Sequence, residues 1–369
     1  MHGDAPVDRV AAVNQALARA GARDTGSGYL KAILDALRVP EESQLLVFSK
    51  TGAQRAFTSP RTPRALYFNA SAAVGYVPGA PSIEIALDDP RQGVEFYTVE
   101  QSAAAPVLAR QTSCQSCHVS AGTLDVPGLI ARSHTVGLTG QVLPRSDTHD
   151  VDHRTGHPDR WGGWYVTTEA FSDQYAQRAH SGNITFSDGG STSNQIFVDW
   201  MSSAPESRGY LSGRSDVVVL QVFDHQVHAI NLIAKLQAEL RRGAAANVTG
   251  LAGELAEYLL FVDEAPLQVP LTARPAFAAY LQTLAPHDAR GRSVTELDLE
   301  RRLLKYPCSY MIYSEAFAAL PATVKGTVYA RMREILSDPD VRGRHASRTA
   351  ADRLAVREIL DETVTGFRD

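Results

Sequence analysis

An α+β fold, a β-rich N-terminal region packed against a largely helical C-terminal region, is predicted by three observations. Short apolar runs separated by Pro, Gly, Asn or Asp recur between residues 44 and 99, the signature of strands and tight turns. From residue 216 onward, apolar positions recur at helical spacing over longer segments. Between these regions, residues 106–200 are dense in turn chemistry ("VPG", "LTG", "SGN", "SDGGS") and read as long ordered loops with a few short elements. The expected division is 1–215 for the mixed region and 216–369 for the helical one.

In chain order, residues 4–21 carry Val10, Val13, Leu17 and Ala20 near one side of a helix, and "GYLKAILDALR" at 28–38 supplies a second. The runs "QLLVFS", "RALYFN", "AAVGYV", "SIEIAL" and "VEFYTV" predict strands of a mostly antiparallel unit whose pairing order the sequence leaves open. In "RWGGWYVTTE", two glycines between Trp161 and Trp164 permit close backbone approach, and the tryptophans with Tyr165 make an aromatic wall or a core turn. The segment from Ser215 or Asp216 to Gly243 has a capping residue, a long apolar pattern, a basic last turn and a terminal glycine, so one long helix is expected there. Further helices are expected at 250–262, 275–284, 294–305, 323–337 and 349–360, and a less regular one at 308–319.

The chemistry is concentrated in "TSCQSCHVSAG". Cys114 and Cys117 have the spacing at which two thiols form thioethers to the vinyl groups of one haem, and the adjacent His118 then reaches the iron. A redox dithiol or half a zinc site has no need of a histidine directly after the second cysteine. The chain's third and last cysteine, Cys308, has no C-x-x-C partner, which leaves a four-cysteine zinc or iron–sulfur site without ligands. Heme c, one per chain and covalently bound, is therefore the expected cofactor. The N-terminal region becomes a haem cradle, and the helical region covers the opposite face of the haem.

The count of 36 Lys plus Arg against 41 Asp plus Glu gives a formal charge of −5, which argues against a nucleic-acid surface. No uninterrupted apolar run reaches membrane-span length, so no transmembrane segment is expected. The opening "MHGDAPVDRV" lacks the basic and apolar segments of a secretory leader, and a removed leader replaced by an initiating methionine is the expected explanation.

The sixth position on the iron decides between electron transfer and ligand chemistry. His225 and His228 stand at i,i+3 on a helix apolar around most of its circumference; they are candidates for an axial ligand or an acid–base pair, against the alternative of two hydrogen-bonded core histidines. His153 and His180, in "THDVDHRTGHPDRWGG" and "RAHSGN", are loop candidates for the iron, and Met201, Met311 and Met332 are thioether candidates with core packing as the plainer role. Arg110, Arg132, Arg154 and Arg160 are candidates for haem propionates, since guanidinium donors match carboxylate geometry. Cys308 reads as a buried inert thiol.

Beyond single residues, the segments "SQLLVFSKTGAQ", "PRALYFNASAAVGYVPG", "TSCQSCHVSAGT", "DHRTGHPDRWGGWYVT", "SDVVVLQVFDHQVHAINLI", "YLLFVDEAPL" and "GRSVTELDLERRLLKYPCSYMIY" resemble bacterial proteins that carry a single c-type cytochrome haem, over roughly residues 42–340. That resemblance implies one haem protein integrated over most of the chain, matured in the periplasm, with a periplasmic redox partner or small-molecule substrate. The leading expectation is a periplasmic monohaem cytochrome with redox or electron-transfer activity. A haem peroxidase or other small-molecule oxidoreductase using a distal histidine, and a diatomic-gas sensor, are the alternatives. A dihaem peroxidase is disfavoured because a second C-x-x-C-H is absent.

Overall fold

The computed structural model describes residues 6–20, 26–144, 147–167, 184–185, 191–192, 208–267, 270–337 and 349–368. The fold is mixed α+β, with an N-terminal region rich in β-sheet and a C-terminal region rich in helix. Helices α1 (Pro6–Arg19) and α2 (Leu30–Leu37) precede the strands β1 (Leu45–Val47), β2 (Arg64–Asn69), β3 (Ala72–Tyr76), β4 (Ser82–Asp89), β5 (Gly93–Glu100) and β6 (Ala109–Arg110). These six strands form one antiparallel sheet in sequential order, a meander in which each strand pairs with the next along the chain.

Strand periodicity assigns the two faces of this sheet to different partners. Tyr67, Val74, Ile83, Ile85, Leu87 and Val99 point to one face and pack with Val13, Leu17, Leu30, Ile33 and Leu34 of α1 and α2. Leu45, Phe68, Ala86, Val94 and Phe96 belong to the other face and join an apolar cluster that continues into the helical region. The Phe68 and Phe223 rings meet with centroids 5.0 Å apart, so burial of the same aromatic surface joins strand to helix.

After the sheet come a single helical turn, α3 (Gln115–His118), and the antiparallel pair β7 (Arg132–His134) and β8 (Thr148–Asp150). Strands β9 (Ile184–Thr185) and β10 (Ser191–Thr192) also pair antiparallel. His180 and Met201 lie outside the described residues.

The helical region is α4 (Val217–Arg242), α5 (Ala245–Leu259), α6 (Pro275–Gln282), α7 (Glu315–Ala318), α8 (Ala322–Ser337) and α9 (Ala350–Thr363). Asp216 caps α4 by accepting from the amides of Val218 and Val219, and Gly243 ends it in a left-handed conformation at φ 73°. By length and composition α4 meets the requirement for a membrane span, yet 94% of that window is buried inside the protein. Its Gln226 is matched from neighbouring elements: it donates to the Asn69 carbonyl at 2.7 Å and accepts from the Tyr310 hydroxyl at 2.8 Å.

The helix expected at 294–305 is not formed. Asp298 Oδ1 instead accepts from the amides of Glu300 and Arg301, both at 2.9 Å, and Leu299 takes a φ of 61°. A side-chain acceptor that captures amides two and three residues ahead offers the backbone a turn in place of a helix. The freed carbonyls of Leu299 and Arg301 accept from Leu271 and Leu267, which brings a second segment alongside. At 308–319 the chain forms a 3-10 turn, Tyr310–Tyr313, followed by α7.

Candidate functional site

The C-x-x-C-H segment folds as one exposed helical turn, because the Cys114 carbonyl accepts from both Cys117 N at 3.2 Å and His118 N at 3.0 Å. That winding places Cys114 and Cys117 on one side of the turn, with His118 beside them. Cys117 is exposed, Cys114 and His118 are half-buried, and none of the three cysteines is in a disulfide. Burial pushes the Cys114 thiol up from its ordinary pKa, the opposite of the depressed value on which dithiol exchange depends.

The tautomer of His118 follows from a single contact. Its Nδ1 lies 2.9 Å from the Gly128 carbonyl, which only accepts, so Nδ1 carries the proton and Nε2 keeps its lone pair. Burial lowers the pKa of the ring and favours neutral imidazole. On its other side, the ring packs at 4.5 Å from the Phe96 ring of β5.

His153 and His225 are brought together in the core, 3% and 1% exposed. The hydrogen-bond geometry sets a direction through four groups. His153 Nε2 donates to the Val262 carbonyl at 3.3 Å, so His153 Nδ1 accepts from His225 Nδ1 at 2.7 Å. His225 Nε2 must then accept, and the Ser309 hydroxyl donates to it at 2.6 Å. All four ring nitrogens are thereby used; His225 stacks on Phe261 and Tyr258, and His153 stacks on Phe261 and packs at a tilt against Tyr258. Burial holds both pKa values well below 6.5, which keeps the pair neutral.

His228, one turn along α4 from His225, belongs to a different group. Its Nε2 accepts from Arg154 Nη2 at 3.1 Å, and Arg154 also binds the Asp152 carboxylate and lies over the Tyr258 ring. Burial brings the pKa of His228 down to about 4. Burial works against the charge of Asp152, yet the hydrogen bonds and charge of Arg154, with His228 nearby, together outweigh it and hold the carboxyl below its usual range. A cavity of about 130 Å³ lies between this group and the loop that follows His118, lined by Gly122, Leu124, Asp150, Asp152, His228 and Asn231. That is well under the roughly 300 Å³ of a small-molecule pocket and is the size of a solvent pocket.

The remaining expected residues are placed elsewhere. Arg110 stands opposite Tyr97 in the β5–β6 register and pairs with Glu95 at 2.5 Å, on the sheet face away from Phe96 and His118. Trp161 is 1% exposed and donates its indole N–H to Asp224 at 2.7 Å, whereas Trp164 donates to the Arg132 carbonyl at 2.8 Å and packs near Phe223. Both indoles thus fill the core between β7 and α4. The intervening glycines do allow close approach: a Cβ on Gly162 would sit 2.4 Å from the His134 carbonyl oxygen. Arg132 pairs with Asp150, and Arg160 donates to the His153 and Thr155 carbonyls. Cys308 and Met311 are fully buried.

No family model, curated protein or solved structure matches this chain. Among the described residues, no three His, Cys, Asp or Glu side chains converge as metal ligands.

Ser309, Gly128 and Asn231 were missed as site residues by sequence reasoning. Gly128 stood in "VPG" as a turn signal, and Asn231 in "HAINLIA" was the one weak sign, a lone amide in an apolar helical stretch.

Proposed function

We propose that the chain is a periplasmic monohaem c-type cytochrome with electron-transfer activity. Cys114 and Cys117 hold the haem through thioethers, and His118 is its proximal ligand. The observation that carries this reading is the donor set of α3. Two cysteines outside any disulfide lie on one exposed turn, beside an imidazole whose Nδ1–H is committed to a backbone carbonyl. A metal-bound histidine ordinarily donates its second nitrogen in this way, so the residues fit the group. When bound, the haem supplies a one-electron couple.

The chain's own residues account for the rest. The Gly128 carbonyl fixes the His118 tautomer and Phe96 limits rotation of the ring. Placement of the attachment turn at the surface suits exchange with a redox partner, since three of its four residues are exposed. The peroxidase alternative asks for a histidine with a nitrogen to spare. Among the described residues, both nitrogens of His225 and His153 are used and His228 Nε2 accepts from Arg154, which favours electron transfer over a role for these three as distal catalysts.

The test is periplasmic expression in a bacterium with c-type haem maturation. The expected product keeps one haem through denaturation, and Cys114→Ser with Cys117→Ser abolishes covalent attachment. A purified folded chain without covalent haem overturns the reading. Rapid carbon monoxide binding with peroxide turnover would replace electron transfer by the peroxidase alternative.

A further inference from the structure

Asn231 is 1% exposed on α4, yet each polar atom of its carboxamide is bonded to the loop that follows His118. Oδ1 accepts from Leu129 N at 3.0 Å, while Nδ2 donates to the Leu129 carbonyl at 2.8 Å and the Gly122 carbonyl at 3.4 Å. Exchanging oxygen and nitrogen would set like against like at every contact, so the network itself fixes the amide orientation.

The Leu129 N–H and the Gly128 carbonyl belong to one planar peptide unit. Asn231 Oδ1 holds its nitrogen end, and its oxygen end accepts from His118 Nδ1 at 2.9 Å. The Gly128 amide closes the loop by donating to the His118 carbonyl at 3.0 Å. Aligned bonds at the two ends of a peptide polarise one another, strengthening the acceptor that His118 sees. The amide approaches so closely that a Cβ on Gly128 would lie 2.3 Å from Asn231 Oδ1.

We infer that Asn231 is a positioning residue for the proximal ligand: through the Gly128–Leu129 peptide it sets the strength of the His118 Nδ1–H hydrogen bond, and with it the redox potential of the haem. This rests on the proposed haem attachment. A strong Nδ1–H bond makes the imidazole more basic and favours ferric iron. Loss of the Asn231 contact releases the peptide plane, weakens that bond and favours ferrous iron.

The experiment is a redox titration of the haem-loaded wild type, Asn231→Ala, Gly128→Ala and Gln226→Ala, with the iron–histidine stretching frequency recorded for each. Asn231→Ala shifts the equilibrium toward ferrous iron by about tenfold, equivalent to about 59 mV for one electron, and lowers the stretching frequency. Gly128→Ala, whose Cβ displaces the carboxamide, moves both quantities the same way and serves if Asn231→Ala does not accumulate. Gln226→Ala removes two buried hydrogen bonds from the same helix without touching the loop. It lowers stability and leaves potential and frequency where they were. Haem-loaded Asn231→Ala or Gly128→Ala with wild-type potential and frequency overturns the inference alone. A wild type without covalent haem overturns the underlying reading and the inference with it.

Discussion

Trp161 shows how a buried acceptor is held by one donor. Asp224 is 1% exposed, and the Trp161 indole N–H bonds its carboxylate at 2.7 Å. Trp161→Phe keeps most of the apolar shape and removes that donor. The expected loss is about 1–3 kcal/mol, because a buried acceptor is left without its partner. Guanidinium unfolding followed by circular dichroism measures it, and an unchanged midpoint would show that the bond contributes nothing net. The backbone around this tryptophan was partly legible: the adjacent glycines signalled close approach, and Gly162 does lie against His134. The partner was not legible, since Asp224 is 63 residues away along the chain.

Among the elements, α4 was the easiest to read, with a cap, an apolar pattern and a terminal glycine that agree. Asp216→Ala removes the acceptor of two otherwise unsatisfied amides and is expected to cost about 1 kcal/mol. A lowered denaturation midpoint with an unchanged slope is the expected result, and no loss would mean that Asp216 does not cap. The strands β2 to β5 were legible because alternation and turn residues act locally. Their sequential pairing was not, because neighbour choice depends on which faces must be covered. The missing helix at 294–305 illustrates the reverse case. Its apolar and charged spacing fits a helix, but the Asp298 turn and a segment alongside satisfy the same backbone groups differently.

For the whole molecule, the buried titratable groups predict how stability varies with pH. Burial lowers the pKa of His153 and His225 well below 6.5, of His228 and His134 to about 4, of His157 to about 3, and of His118 below 6.5. Those six bind protons in the unfolded chain before they do in the folded one as the pH falls below 6.5. Burial also raises Asp88 and Asp224 from 3.8 to about 7, so these two bind protons in the folded chain first. The histidines outnumber the carboxyls by four, hence between about pH 6 and 4.5 stability falls with falling pH, by up to about 4 kcal/mol per unit. Above pH 7.5 neither set changes its charge and stability is level. Denaturant titrations from pH 4.5 to 8.5 check this, and a flat profile across the acid half would contradict it.

The sequence by itself determined the α+β division, the long α4 and the C-x-x-C-H donor set, because each depends on residues close together in the chain. Only the tertiary structure decided which histidines keep a free nitrogen, where the tryptophans point and how the loop after His118 is anchored. His153 and His225 are 72 residues apart, and Asn231 is 102 residues from Leu129. Hydrogen-bond complementarity in a buried setting selects such partners, and it exists only once the sheet and α4 have enclosed them.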